Sequence, residues 1–354
     1  MSDAAIKKTY RKVDPQDLAK FLAAARGGDK DAFSLLTEPH RLELMTHCYR
    51  MLGSIEDAED QVQETFLRAW RRLETYQERA SFRAWLYKIA TNACLDALQG
   101  KPRRMLPLEL PGPADPQAPL PAPILEPVWI EPYPDEWIAP AHLNPEARYD
   151  SYESVSLAFL AALQVLPPRQ RIVLILADVM DWPMGEIADT LAASLSSVTS
   201  LLHRARLTMK QRHIPEGKDM ARMKMPSDQT RELLDRYVRA WESADIKGII
   251  SLLADEATFP MPPLPIWVQG REVVAELISR NIMAGDAQGR WKLVPVRANG
   301  QDGFAFYRID EADQLYHAYA FQILTIVDGL VSDVTTFGMT SLFDHFGLPP
   351  VIKV

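Results

Sequence analysis

The feature that most restricts this chain is a run of forty residues, 106–145, that contains twelve prolines. Proline fixes φ and removes a backbone donor, so neither a regular helix nor a central strand survives such a density. The run reads as an extended linker that separates folded parts. It also holds Trp129, Ile130, Tyr133 and Trp137, side chains out of place in a solvated spacer. Two readings are open: anchors that dock on a folded surface, or a mostly disordered connection.

Charge divides the chain at the same place. Residues 106–153 carry nine acids against one base, Arg148, while the rest balances at 38 bases and 38 acids. The net charge of −8 therefore sits in the linker and says little about the flanks. Residues 68–104 hold nine bases and three acids. Arg204, Arg206, Lys210 and Arg212 form a second basic island with no acid among them. Each island is read either as a solvated helix face or as a nucleic-acid surface.

Before the linker, residues 17–98 read as helical. Phe82, Trp85, Leu86, Ile89 and Ala93 follow the spacing of one buried face. After it, residues 151–212 are helical again, with Pro167-Pro168 stopping a helix that buries Leu157, Leu160, Ala161 and Leu166. Residues 229–253 read as one or two further helices. The remainder turns to strands at 291–297, 304–309, 315–327 and 330–337, with Asp328-Gly329 as a hairpin turn. Helices followed by hairpins give two all-α domains and then an α+β domain. The expected boundaries are 1–105, a linker at 106–150, 151–213 and 228–346. The longest apolar runs are too short to span a bilayer, residues 1–20 lack an apolar signal core, and Cys48 and Cys94 form no metal or disulfide framework. A cytoplasmic protein is expected.

Two stretches carry chemistry. In residues 184–207, Glu186, Ile187, Ala188 and Leu191 make a short helix, a tight connection comes next, and Ser196 or Ser197 can cap the next helix. Val198, Leu201, Leu202 and Ala205 then point inward, leaving Thr199, Ser200, His203, Arg204 and Arg206 outward. That is a helix-turn-helix with a polar, basic second helix, able to place short side chains on base edges and arginines on phosphates. In the first block, Asp57, Glu59, Asp60, Gln63 and Glu64 lie opposite an apolar face. Tyr76, Arg79, Arg83, Tyr87, Lys88 and Asn92 then interleave rings with cations, the composition that binds single-stranded nucleic acid. Phe82 and Trp85 fall on the core spacing, whereas Arg83, Tyr87, Lys88 and Asn92 fall off it.

The strings Cys48-Tyr49-Arg50-Met51-Leu52-Gly53, Asp57-Ala58-Glu59-Asp60-Gln61-Val62-Gln63-Glu64-Thr65-Phe66 and Arg83-Ala84-Trp85-Leu86-Tyr87-Lys88-Ile89-Ala90-Thr91-Asn92 resemble region two of an extracytoplasmic-function (ECF) sigma factor. Leu166-Pro167-Pro168-Arg169-Gln170-Arg171, with the helix-turn-helix ending His203-Arg204-Ala205-Arg206, resembles region four. Residues 228–346 resemble a SnoaL-like domain, on Tyr237-Val238-Arg239-Ala240-Trp241, Pro262-Pro263-Leu264-Pro265, Gly270-Arg271 and Phe346-Gly347-Leu348-Pro349.

The resemblance implies a transcription-initiation subunit whose partners are core RNA polymerase and promoter DNA. Asp57, Asp60, Gln63 and Glu64 would meet the polymerase, with Phe66 and Trp70 holding their helix. Asn92 would capture an unpaired minus-ten base, aided by Tyr87, Lys88, Arg83 and Arg68. Ser197, Thr199, Ser200, His203, Arg204 and Arg206 would read the minus-thirty-five element. No cofactor, metal or membrane partner is expected. The SnoaL-like fold implies a cone with a pocket that admits a small ligand. His317, Tyr319 and Phe321 alternate along one strand and should share a face, with Asp333 and Trp291 near them. An acid/base pair there would suit a cyclase or isomerase, which keeps an enzyme as the alternative. The favoured reading makes His317 a satisfied interior residue and the C-terminal domain regulatory, without catalysis.

Overall fold

The computed structural model describes residues 15–78, 80–126, 128–138, 152, 154–211, 228–285 and 287–353. Arg79, Arg212, the linker residues 139–151 and the basic bridge at 213–224 lie outside the described residues. The chain divides into two compact units, Met1–Arg104 with Glu136–Ile214, and Met105–Asp135 with Pro215–Val354.

The first unit is all-helical. Its helices are α1 (Pro15–Arg26), α2 (Lys30–Thr37), α3 (Arg41–Leu52), α4 (Ile55–Arg72), α5 (Phe82–Ala97), α6 (Leu157–Val165), α7 (Pro168–Leu174), α8 (Met184–Thr190) and α9 (Leu195–Gln211). Local chemistry sets the boundaries. Gly53 ends α3 at φ 72°, where a Cβ would be strained, and Ser54 at once caps α4 by accepting from the Asp57 N–H at 3.2 Å. Ser81 caps α5 and Ser156 caps α6 in the same way. Pro167-Pro168 does separate two helices: α6 ends at Val165, and Pro168 opens α7 at a position where its missing N–H costs nothing. Leu44, Cys48, Tyr49, Ala58, Leu86, Ala90 and Cys94 are fully buried and build the core of α3, α4 and α5.

The second unit is α+β. Helices α10 (Asp228–Glu242), α11 (Ile246–Ile250) and α12 (Arg271–Leu277) pack on a seven-stranded mixed sheet. Its strands are β1 (Leu253–Pro260), β2 (Trp267–Gln269), β3 (Trp291–Ala298), β4 (Gln301–Ile309), β5 (Tyr316–Val327), β6 (Leu330–Phe337) and β7 (Val351–Ile352). The order is β2-β1-β6-β5-β4-β3 with β7 on β5, antiparallel throughout except for the parallel pair β1–β6. The four strands legible in the sequence are present. Strand β1 was not legible: its Asp255 and Glu256 break the apolar alternation. The Asp328-Gly329 turn has both residues at positive φ, as a two-residue hairpin requires.

The proline-rich run is docked at its anchors, while residues 111–126 between them stay mostly exposed. Trp129 is 3% exposed, and Ile130 and Tyr133 are fully buried. The run closes on itself where the Met105 N–H donates to Val128 O (2.8 Å) and the Ile130 N–H to Met105 O (3.1 Å). It is then pinned to the C-terminal sheet. The Ala114 N–H donates to Trp267 O (2.7 Å) and the Ile124 N–H to Pro263 O (2.9 Å). Tyr133 and Asn299 exchange two bonds, and Asp135 accepts from the Gly300 N–H (2.7 Å) and Arg297 Nε (3.1 Å). A segment rich in proline cannot add a regular strand, so it attaches through isolated donors and buried rings. The fourth anchor, Trp137, belongs to the helical unit, where its carbonyl accepts from Thr46 Oγ1 at 3.2 Å.

Candidate nucleic-acid interface

Helix α9 presents its expected row. Val198, Leu202 and Ala205 are buried, while Ser197, Thr199, Ser200, His203, Arg204 and Arg206 are exposed. The cap differs from expectation. Ser194, not Ser196 or Ser197, accepts from the Ser197 N–H at 3.2 Å, because the helix starts earlier, at Leu195. Ser197 is thereby freed to face outward. Thr199 and Ser200 bond back to the carbonyls of Leu195 and Ser196 at 2.9 Å. The two arginines differ. Asp178 grips Arg206 through two bonds, at 3.0 and 2.6 Å, whereas no acid pairs with Arg204 among the described residues.

Helix α5 corrects the partition of its aromatic face. Tyr87, expected outward, is 2% exposed and packs edge-on against His47 with ring centroids 5.0 Å apart; burial drives its phenol pKa far up. Trp85, expected in the core, is only half-buried and lines a cleft of about 200 Å³ with Tyr76 and Lys88. The apolar spacing misplaced these two rings because the helix is covered on a second side, by Trp182, whose ring lies 5.6 Å from Tyr87. Tyr87 is thus buried between α3 and Trp182 and not exposed as expected. Asn92 is exposed, with Nδ2 bonded to Lys88 O at 2.9 Å. Arg83 pairs with Glu43 at 2.7 Å and lies over the Tyr87 ring. Despite burial, His40 and Arg83 hold the Glu43 carboxyl below its ordinary range. Arg68 is shared between Glu64 (2.6 Å) and Asp96 (2.8 Å), and Lys88 Nζ donates to Asp189 O at 2.8 Å.

On α4, Asp60 and Gln63 are exposed. Asp57 instead is held by Arg104 at 2.6 Å and by Lys101, which keep its carboxyl low against the cost of burial. Glu64 is engaged by Arg68. Phe66 lies beneath Arg41, and Trp70 packs edge-on against Phe33. Leu67, 50% exposed, stands beside Gln63 and was not singled out from the sequence. Its spacing off the Ile55, Ala58, Val62, Thr65 and Ala69 stripe is the signal that marks it.

The C-terminal face expected to hold His317, Tyr319 and Phe321 together is broken. A bulge in β5 shifts the register between Phe306/Ala320 and Tyr307/Ala318, and one extra residue flips the side chains beyond it to the opposite face. Tyr319 stays against Trp291 (5.0 Å), while Phe321 packs with Phe343 and Phe346. His317 is not interior. It is partly exposed at the hairpin and bonded to Asp313 Oδ2 at 2.9 Å. Asp333 pairs with Thr258 and Thr335 instead, at 2.6 and 2.7 Å. Tyr237, Trp241, Trp291, Phe304 and Phe306 pack in the space between helices and sheet where a ligand pocket was expected.

Comparison with known proteins decides the family. Residues 36–104 match the Sigma-70 region 2 model, 156–209 the Sigma-70 region 4 model, and 234–334 the SnoaL-like domain model. ECF RNA polymerase sigma factor SigG of Mycobacterium tuberculosis is 44% identical over 329 residues, 92% of this chain and 86% of the relative. The chain belongs to the ECF RNA polymerase sigma factors. Sigma factor SigW of Bacillus subtilis is 27% identical over 195 residues, 55% of this chain and 95% of that one. The crystal structure of the Mycobacterium tuberculosis sigma factor SigJ shares the fold, with a TM-score of 0.56 over 91% of this chain and all of that one at 23% identity. The helices of this sigma factor that carry Asn92 and Arg204 are thus its region-two and region-four helices. No described helix is long and apolar enough to cross a membrane.

Proposed function

We propose that the chain binds core RNA polymerase and directs promoter recognition and opening, with no catalysis of its own. One observation carries the reading beyond family membership. The helix-turn-helix row on α9 and Asn92 on α5 are open to solvent, while the rings and aliphatic side chains beneath them are buried. Asn92 offers both a donor and an acceptor to an extruded base, and Lys88 and Arg68 offer charge to its flanking phosphates. Ser197, Thr199, Ser200 and His203 suit base edges, with Arg204 and Arg206 on phosphates. Asp60 and Gln63, with Leu67 beside them, form the polymerase-facing strip, and Asp57 and Glu64 shape it through their arginines.

The C-terminal domain acts as a regulator by contact. Its interior is filled with aromatic side chains, and its outer attachments hold the acidic linker. In vitro transcription with core polymerase tests this reading, comparing the full chain with one ending after Arg212. Promoter-dependent transcripts that change in amount on truncation support it. Failure of the full chain to bind core polymerase, or turnover of a small molecule that needs His317 or Asp333, overturns it.

A further inference from the structure

Helix α8, the first arm of the helix-turn-helix, lies against α5, the helix that carries the minus-ten residues. Lys88 Nζ donates to the carbonyl of Asp189 at the end of α8. Trp182, just before α8, packs on Tyr87. Tyr76, Trp85 and Lys88 face Trp182, Glu186 and Asp189 across the cleft of about 200 Å³. A separate fastening joins the same two modules through α3: Arg171 donates to Met51 O, and Arg50 Nη2 to Ser154 Oγ.

The geometry points to an autoinhibitory lid: α8 with Trp182 covers the Trp85–Lys88 end of the minus-ten face of α5 in the free protein, leaves Asn92 exposed, and must swing away before a single strand can bind along the whole face. The inference rests on the reading of α5 as the minus-ten face. Three arguments carry it. First, the Lys88 ammonium is spent on a carbonyl of the other module, so a phosphate must displace Asp189 to reach it. Second, a base stacked on Trp85, the more exposed ring of this face, needs the volume that Trp182 and Glu186 now bound. Third, Glu186 and Asp189 place two carboxylates at the mouth of that cleft, which repels a phosphate backbone while the lid is shut. The lid is also weak enough to open. Among the described residues it is fastened to α5 by an exposed hydrogen bond and a tilted ring pair, each a modest contact. A binding-competent form that is only fractionally populated lowers apparent affinity by that fraction, and loosening the lid recovers it.

The test uses the full-length chain with spin labels at Gln99→Cys and Lys210→Cys, one on each module. Trp182→Ala removes the ring contact, and Glu186→Lys sets a second cation beside Lys88; neither residue is a proposed DNA ligand. Both variants should lengthen the inter-label distance without DNA. Both should also bind a single-stranded minus-ten oligonucleotide about five- to tenfold more tightly than the parent. Adding that oligonucleotide to the parent should produce the same longer distance. Unchanged distances in both variants overturn the lid whatever the DNA result, as does a parent complex that keeps the short distance with DNA bound. Distances that lengthen while neither parent nor variants bind the oligonucleotide uphold the lid and count instead against the minus-ten reading of α5.

Discussion

The two units bury opposite charges. The helical unit encloses His47, Arg50, Arg104 and Arg171, all under 8% exposed. The C-terminal unit encloses Asp135, 5% exposed, and ties up Asp333 between two threonines. A buried ionisable group must be neutralised or surrounded by partners, and the units solve this differently. Arg171 is surrounded by carbonyl oxygens of Met51, Gln164 and Leu166 and by Gln164 Oε1, and burial pulls its pKa down to about 10. His47 stays neutral: burial, then Arg50 and Arg83, push it down to about 3. Asp135 and Asp333 are pushed up to about 6, each by burial first. The acids therefore titrate close to neutral pH, while Arg171 is far from losing its charge.

The largest effect expected from this contrast is at Arg171. Replacement by Met keeps much of the volume but strands three carbonyls and an amide oxygen that now share one guanidinium. A loss of about 3 kcal/mol or more is expected, because removing one member of a buried charged network leaves the others unsatisfied. Urea unfolding of the full chain, followed by helical circular dichroism, checks it. A variant within about 0.5 kcal/mol of the parent would break the idea that this arginine ties region four to region two.

The next prediction is a crossing with pH. The folded pKa of His47 lies below its unfolded value of about 6.5, so its contribution is complete above that value and falls as pH drops. Between pH 7 and 5 the helical unit should lose about 2 kcal/mol. For Asp135 and Asp333 the folded pKa lies above the unfolded value of about 3.9, so the native state holds the extra proton and stability falls as pH rises from about 4 to 6. As pH drops from 7 to 5 the C-terminal unit should instead gain about 1 kcal/mol from each acid. Amide hydrogen exchange, corrected for the intrinsic pH dependence, separates the units. Parallel changes in both would sink the comparison, and His47→Gln should flatten the helical arm alone.

A glycine sharpens the same separation with a somewhat smaller or similar cost. At Gly303 in β4, a Cβ would collide with Gln322 O and Ile323 Cδ1 of the neighbouring strand, and backbone cannot move aside as a flexible side chain can. Gly303→Ala should cost about 1–3 kcal/mol in the C-terminal unit. Protection of α3, α4 and α5 should be unaffected if the units fold independently. Loss of protection in both would show them to be one cooperative body.

These contrasts were unevenly legible in the sequence. The α9 row was readable because four apolar positions at helical spacing leave only one way to orient the remaining side chains. The late strands were readable from β-branched and aromatic runs between turns. Trp85 and Tyr87 were misplaced because spacing on one helix reports a single covered face, and Trp182, ninety-five residues beyond Tyr87, covers a second. The docking of Trp129 and Tyr133 was foreseeable only as one of two options, since their partners, Ile124 O and the Asn299 turn, are local or distant contacts that composition does not encode. His317, Tyr319 and Phe321 were read as sharing a face from a strict two-residue alternation, and a single bulged residue is enough to cancel that inference.

The smallest effect concerns two arginines close together on the proposed minus-thirty-five surface, and it costs almost nothing in stability. Arg204 and Arg206 are both exposed, but Asp178 neutralises only Arg206. A cation already paired with a carboxylate neutralises less phosphate charge and releases fewer counterions when DNA binds. Arg204→Ala should therefore reduce the slope of log binding constant against log salt by about one unit on duplex DNA. Arg206→Ala should reduce it by less, and Asp178→Asn should increase it in the parent while doing nothing in the Arg206→Ala background. Filter binding of the full chain to a minus-thirty-five duplex across a salt series measures the slope of the parent and of each of the four variants. Equal losses for the two arginines, with no effect of Asp178→Asn, would mean that DNA strips Arg206 from its acid at no cost. The pairing seen in the free protein would then be a resting arrangement of the side chain and not a device that distinguishes the two positions.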